Sequence, residues 1–364
     1  MTTKELEHQV AGHKGVQTDD SGELVYKPAL PTEIAFYEHV AQNADSLGQL
    51  RPFMPVCYGK LTLQGEQDGE GGVREVADTG SESIVLENLT YGYLHPSVLD
   101  AKLGTVLYDE NATEEKKARM IKKAAETTTG QVGLRLTGCQ TWHQPSQAYI
   151  STPRQFGYDL KVEDMPAALA RFFPLPSDNI PEYIDPSVQP SIPTSTSDPA
   201  FTEPSAEPKS YTSHAIPLSL LSRLLATLLT RLEKLRAALG TAEIRAVGAS
   251  LLVIYESDPT RLAECFTALD QGRVKWKEDA EIDPDADSDE EDDDEETPLP
   301  ISLHLIDFAH TFARPGEGPD QGVLLGLDKF TELVRGRLED VRKAQDGSEE
   351  DGGEEREAKK AKTG

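Results

Sequence analysis

The sequence predicts an α+β fold, and three observations carry that prediction. Short apolar runs of strand length recur at residues 23–27, 56–63, 84–89, 132–142, 250–255 and 301–308. Helical periodicity is confined to fewer, longer segments. The clearest is the stripe Leu218, Leu221, Leu225, Leu228, Leu232, Leu235 and Leu239, one amphipathic helix whose apolar face suits a core. Two stretches interrupt the pattern and cannot bury a core. Residues 174–208 hold nine prolines among Ser, Thr and Asp, and residues 278–296 hold fourteen Asp or Glu and no base. No internal repeat is evident.

The elements follow in order. Glu23 to Lys27 reads as a strand ending at Pro28, and Pro31 opens a helix with Ile34, Tyr37, Val40 and Ala44 on its apolar face. The polar, glycine-rich stretch from Gly65 to Ser83 reads as a mobile hairpin insertion between two strands. Asn111 followed by Glu114 predicts a capping box for a helix reaching about Glu126. Arg261 to Leu269 reads as a helix. The last helix carries Phe330, Leu333, Val334, Leu338 and Val341 on one face, and the charged tail from Asp346 is expected to be disordered.

The 364 residues are 37% hydrophobic and carry a net charge of −28. Half of that excess lies in the acidic run, so the remainder, at −14, leaves room for local basic patches that grip an anion. Cys57, Cys139 and Cys265 show no metal-ligand spacing and suggest a reducing, intracellular setting. Met1 to Val10 is charged and lacks an apolar signal region. The leucine-rich stretch Ile216 to Leu239 is broken by Arg223, Arg231, Glu233, Lys234 and Arg236, which excludes a membrane span.

The chemistry concentrates in Pro96-Ser-Val-Leu-Asp100-Ala-Lys102-Leu-Gly104. On a strand, Asp100 and Lys102 point to one side while Leu99, Ala101 and Leu103 face the other. A carboxylate and an ammonium so placed can position a hydroxyl and neutralise a moving phosphoryl group. Downstream, Lys116, Lys117, Arg119, Lys122 and Lys123 crowd eight residues of an acidic protein, with Lys116, Arg119 and Lys123 sharing a helical face. A polyanion would relieve their mutual repulsion. Lys27 precedes a helix containing Glu33 and Glu38, and Asp307 follows an apolar strand, where a carboxylate could hold a metal ion between phosphates.

The Pro-x-x-x-Asp-x-Lys-x-Gly pattern resembles the signature of the inositol polyphosphate kinase family. Three more segments resemble it in the same order: Leu86-Glu87-Asn88-Leu89, Gly248-Ala249-Ser250-Leu251-Leu252 and Ile306-Asp307-Phe308-Ala309-His310. Val132-Gly133-Leu134-Arg135-Leu136-Thr137-Gly138 is similar to the family's Gly-x-Arg-x-x-Gly strand, which looks structural. Departures are Ala249 for a serine, Arg119 where Gln is frequent, and Tyr158 for Arg in the stretch that includes Gln155 and Gly157.

The resemblance implies a two-lobed, protein-kinase-like α+β fold with disordered insertions. The ATP-binding lobe would span 1–95, and the catalytic, inositol-phosphate-binding lobe 96–173 and 213–343. Disordered segments would be the Pro-rich 174–212, the acidic 276–298 and the tail 344–364. It implies ATP and Mg²⁺ as cofactors. Lys27 would contact ATP phosphates, and the Glu87 and Leu89 backbone the adenine. Asp307 would bind the nucleotide through the metal, with Ser250 near nucleotide or metal. Asp100 would orient the attacking hydroxyl or the ribose. Lys102, Lys116, Arg119, Lys123, Gln155 and His310 would grip substrate phosphates.

The expected activity is that of a multikinase converting inositol trisphosphate and tetrakisphosphate to tetrakis- and pentakisphosphates, with phosphoinositide head groups as further acceptors. A hexakisphosphate kinase making pyrophosphates is the alternative within the family. A nuclear, transcription-associated scaffold is the alternative outside it, with the acidic run binding a transcription factor or other basic protein and Lys359-Lys360-Ala361-Lys362 as an import signal. The expected location is nucleus and cytoplasm, without direct nucleic-acid binding.

Overall fold

Two five-stranded antiparallel sheets organise the protein, one per lobe, with a cleft between them. The computed structural model describes residues 3–10, 15–43, 47–62, 65–67, 73–75, 82–175, 177–181, 210–212, 216–279 and 297–363. The strands are β1 Thr3–Glu5, β2 Gln17–Asp19, β3 Leu24–Pro28, β4 Cys57–Thr62, β5 Gly65–Gln67, β6 Val73–Glu75, β7 Glu82–Glu87, β8 Pro96–Leu103, β9 Leu134–His143, β10 Ala148–Thr152, β11 Asn179–Pro181, β12 Ser210–Thr212, β13 Ile244–Ala246, β14 Ser250–Glu256, β15 Ile301–Ile306 and β16 Thr311–Ala313. The helices are α1 Pro31–Gln42, α2 Glu114–Ala125, α3 Thr128–Val132, α4 Arg154–Asp159, α5 Met165–Phe172, α6 Leu218–Thr241, α7 Pro259–Asp270 and α8 Gln321–Thr363.

The first sheet runs β1-β2-β3-β7-β4 and is backed by α1, which starts at Pro31 because proline needs no partner for its missing N–H there. Glu33, Ile34, Phe36, Tyr37 and Val40 are buried, whereas Glu38 faces solvent. Ala44, expected on this face, lies outside the described residues.

The second sheet runs β10-β9-β8-β14-β15. Its rear face, Leu99, Ala101, Leu103, Leu251, Val253, Tyr255, Ile301, Leu303 and Leu305, is fully buried, and α5, α6 and α8 pack on this sheet. The leucine stripe of α6 enters this core, each buried leucine contributing about 1.5–3 kcal/mol.

Several expectations need correction. The cap of α2 is Thr113, whose hydroxyl accepts the Lys116 N–H; Asn111 instead donates its own N–H to Asp109. The Pro-rich segment leaves the core through an ordered stem: β11 pairs with β12, and Asp178 is ion-paired to the buried Arg337 of α8. Residues 182–209 lie outside the described residues.

The acidic segment likewise begins with an ordered anchor. Lys277 to Asp279 form a helical turn in which Glu278 pairs with the buried Arg231 of α6, and Lys277 reaches Glu87 at 2.7 Å. Residues 280–296 are outside the description. The expected disordered tail instead continues α8 to Thr363; Glu, Ala, Lys and Arg dominate its end, and no proline interrupts it. Within the Gly65–Ser83 insertion, β5 and β6 pair as a hairpin.

Candidate active site

The cleft face of the second sheet carries the site. Side chains directly opposite in antiparallel strands share a face, so the register sets Lys102 of β8 between Ser250 of β14 and Arg135 of β9. Ser250 in turn lies opposite Ile306, the residue before Asp307. Asp100 sits two residues from Lys102 on the same face, opposite Leu252. β9 accommodates an extra residue, Thr137, across from the Asp100–Ala101 step.

Asp100 is 2% exposed, its Oδ1 has no hydrogen-bond partner, and the buried Ser250 hydroxyl has none either. Buried polar atoms are rarely left so, and two at one cleft floor match a ligand or ion that takes them up. Burial, with Asp307 adding to it, pushes the Asp100 carboxyl up to about 6 against the pull of Lys102. Lys102 is half-buried and donates to the Gly248 carbonyl, which leaves other ammonium protons for a phosphate.

The roof comes from the first lobe. Lys27 on β3 donates to Glu33 of α1 at 2.7 Å and to Asp307 at 2.8 Å. Burial works against its charge, but Asp307 and Glu33 outweigh burial and raise its pKa. Asp307 takes a left-handed backbone, φ 68°, which Asp adopts more readily than most residues. The next residue holds it there: Phe308 is buried against Phe36 and Tyr37, with ring centroids 4.9 and 5.5 Å away, and its N–H donates to Glu33 at 3.2 Å.

Glu87, Asn88 and Leu89 line the same cleft as Lys27, Asp100 and Asp307, a space of about 820 Å³ including its open mouth. Asn88 shapes the connection by donating to Gly22 O at 2.7 Å and accepting from Thr90.

Of the expected phosphate-gripping residues, the structure ties Lys123 to this floor. Its ammonium lies 4.7 Å from the Tyr158 ring centroid, over which the Arg135 and Arg154 guanidinium groups also lie, at 4.3 and 5.5 Å. Lys116 and Arg119 precede Lys123 on α2, half-buried and exposed respectively. His310 binds the buried Asp109 carboxylate at 2.6 Å, joining the Asp307 segment to the loop before α2. Gln155 bonds Asp159 of its own short helix at 2.9 Å.

A family model described as inositol polyphosphate kinase matches residues 83–185 and 209–335. The inositol polyphosphate multikinase of Saccharomyces cerevisiae is 31% identical over 90% of this chain and 96% of its own length. The chain belongs to the inositol polyphosphate kinase family. It is therefore a kinase, built on that family's two-lobed fold. A crystal structure of the S. cerevisiae inositol phosphate multikinase with ADP and Mn²⁺ aligns with a TM-score of 0.58 and 26% identity, covering 87% of this chain and all of that one. Mouse inositol hexakisphosphate kinase 3 is 25% identical over 69% of this chain, which spans half of that relative.

For this kinase, sequence reasoning missed two features of the cleft. Arg135, read as structural, is 1% exposed beside Lys102, and its Nε and Nη1 have no hydrogen-bond partner. The signal was present: an arginine between Leu134 and Leu136 on a strand buried on both faces demands a reason. Leu6 to Val10 also line the cleft, with His8 bonded to Gln140 at 2.8 Å, and nothing in their composition marked them.

Proposed function

We propose that this kinase is an ATP- and Mg²⁺-dependent inositol polyphosphate multikinase that phosphorylates inositol trisphosphate and tetrakisphosphate to tetrakis- and pentakisphosphates. One observation carries the reading. A carboxylate–ammonium pair able to hold nucleotide phosphates, Asp307 with Lys27, stands over a floor whose Lys102 is continued by Arg135 and Lys123.

Such an arrangement suits phosphoryl transfer, in which catalysis is mainly positioning and charge stabilisation. Lys27, oriented by Glu33, steadies the ATP phosphates. The backbone of Glu87 and Leu89 receives the adenine. Asp307 and Ser250 would hold the divalent ion, which would supply positive charge to neutralise the phosphates. Asp100 orients the attacking hydroxyl and, once ionised, accepts its proton through the unpartnered Oδ1. Lys102 stabilises the charge gathering on the transferred group, while Lys116, Arg119, Lys123 and His310 clamp the acceptor's other phosphates.

The test is product analysis by anion-exchange chromatography, with inositol trisphosphate and hexakisphosphate offered side by side with ATP and Mg²⁺. Tetrakis- and pentakisphosphates are expected. Pyrophosphates made from the hexakisphosphate, with the trisphosphate untouched, would instead establish the hexakisphosphate-kinase reading, which the 25% identity to mouse hexakisphosphate kinase 3 favours as the second choice. An Asp100→Ala, Lys102→Ala double variant that kept full turnover would overturn the site assignment.

A further inference from the structure

The cleft floor does not end at Lys102. On the side of β8 away from β14 and Asp307, Arg135 stands directly opposite Lys102 on β9, so two cations are cross-strand neighbours on one face. Like charges in that position repel. Arg135 is also buried, forms no ion pair with a carboxylate among the described residues, and leaves Nε and Nη1 without partners. An arginine keeps its charge in any protein setting, so it cannot escape by losing a proton. A buried, unpaired guanidinium is costly unless an anion joins it.

Tyr158 occupies the place such an anion would take. The Lys123 ammonium and the Arg135 and Arg154 guanidinium groups lie over its ring, 4.7, 4.3 and 5.5 Å from the centroid. Burial raises the phenol's pKa, but the Lys123 ammonium and the Arg135 and Arg154 guanidinium groups beside it bring it down to about 7. Three cations gathered over one ring mark the place where a phosphate would be held most strongly. The short helix bearing Tyr158 is seated tightly on β9: a Cβ at Gly157 would lie 1.7 Å from the Leu136 carbonyl oxygen.

We propose that Arg135, Lys123 and Arg154 form a further phosphate subsite for the inositol polyphosphate, with Tyr158 as a displaceable cap whose ring and phenol group occupy the cations until a substrate phosphate replaces them. The subsite rests on the assignment of Lys102 and α2 to the acceptor and extends that assignment away from the nucleotide. It takes a phosphate monoester of the acceptor that is not being transferred.

Steady-state kinetics of the full chain with inositol trisphosphate and ATP test the subsite. Arg135→Gln is expected to raise KM for inositol trisphosphate at least tenfold and to change KM for ATP less than twofold. Arg135→Lys, which keeps the charge but loses the fork, should fall between. An unchanged KM for inositol trisphosphate in a folded Arg135→Gln protein overturns the subsite. Should Arg135→Gln fail to fold, Tyr158→Phe decides. It keeps the ring over the cations and removes the competing oxygen, so KM for inositol trisphosphate should fall about threefold; a rise or no change refutes the cap. Lys116→Ala and Arg119→Ala separate the two levels. If they raise that KM while Arg135→Gln does not, only the subsite falls, and if none does, the acceptor assignment falls with it.

Discussion

The Lys27 ammonium and the Asp307 carboxylate lie 2.8 Å apart although 280 positions separate them in the chain. Lys27 sits on the first sheet and Asp307 just beyond β15 of the second, so the pair joins the two lobes across the cleft. Glu33 completes the group at 2.7 Å from the same ammonium. Lys27→Met would leave two carboxylates facing each other in a half-dry cleft. It is expected to lower kcat/KM for ATP at least a hundredfold and to reduce the melting temperature. Glu33→Gln leaves the contact with Asp307 intact, and its loss should be nearer tenfold. Initial-rate measurements over a range of ATP concentrations check both.

Asp100 makes stability and activity oppose each other. Its carboxyl, pushed to about 6 against an ordinary 3.8, binds a proton more tightly in the folded protein than in the unfolded chain. Stability therefore falls as pH rises from about 4 to about 6 and stays lower above that range, by roughly 3 kcal/mol. Asp100→Asn should raise the melting temperature at pH 8, give no gain near pH 4, and lose at least a thousandfold in kcat. In the parent enzyme, kcat should decline below about pH 6 as the carboxylate is protonated. Paired calorimetric scans and pH–rate profiles give the readouts.

Gly157 allows α4 to lie directly on β9. With a methyl group 1.7 Å from the Leu136 carbonyl oxygen, the helix must move. Gly157→Ala is expected to destabilise the protein by about 1–3 kcal/mol, as overpacking does, and to raise KM for the inositol phosphate by shifting Tyr158 and its cations. KM for ATP should hold. Thermal melting together with the two Michaelis constants tests this.

The anchor of the acidic segment separates stability from partner binding. Arg231 stacks on Trp276 at 3.9 Å and pairs with Glu278, both side chains being less than a tenth exposed. Replacing residues 280–296 by a short Gly/Ser linker should leave kcat, both KM values and melting temperature within error. Extending the deletion back to 276 strands the buried Arg231 charge and releases Lys277 from Glu87. That longer deletion should remove about 3–5 kcal/mol of stability and weaken ATP binding by freeing the Glu87 side chain. Pulldowns with the shorter deletion then report on basic protein partners of the acidic run without a folding defect.

Much of the candidate site's layout was legible because its residues stand in short local patterns. Asp100 and Lys102 share a face by strand alternation alone, and Pro31 marks the start of α1 whatever packs on it. Arg135 was not legible in this way. Its meaning comes from standing opposite Lys102, a pairing set by the register of β8 on β9. The cap of α2 moved from Asn111 to Thr113 because Asp109 holds the Asn111 N–H while also binding His310, a contact made across the fold.

The amino-acid order by itself determined the longer strands and helices and where the charged groups can sit, since alternation, helical period and proline act between near neighbours. Only the tertiary structure decided which charges meet: Lys27 with Asp307, His310 with Asp109, and Lys123 and Arg135 around Tyr158. Electrostatic contact depends on distance in space, and that distance is set when the buried face of the second sheet closes on its helices, an apolar and non-directional force that carries the polar residues of the other face into register.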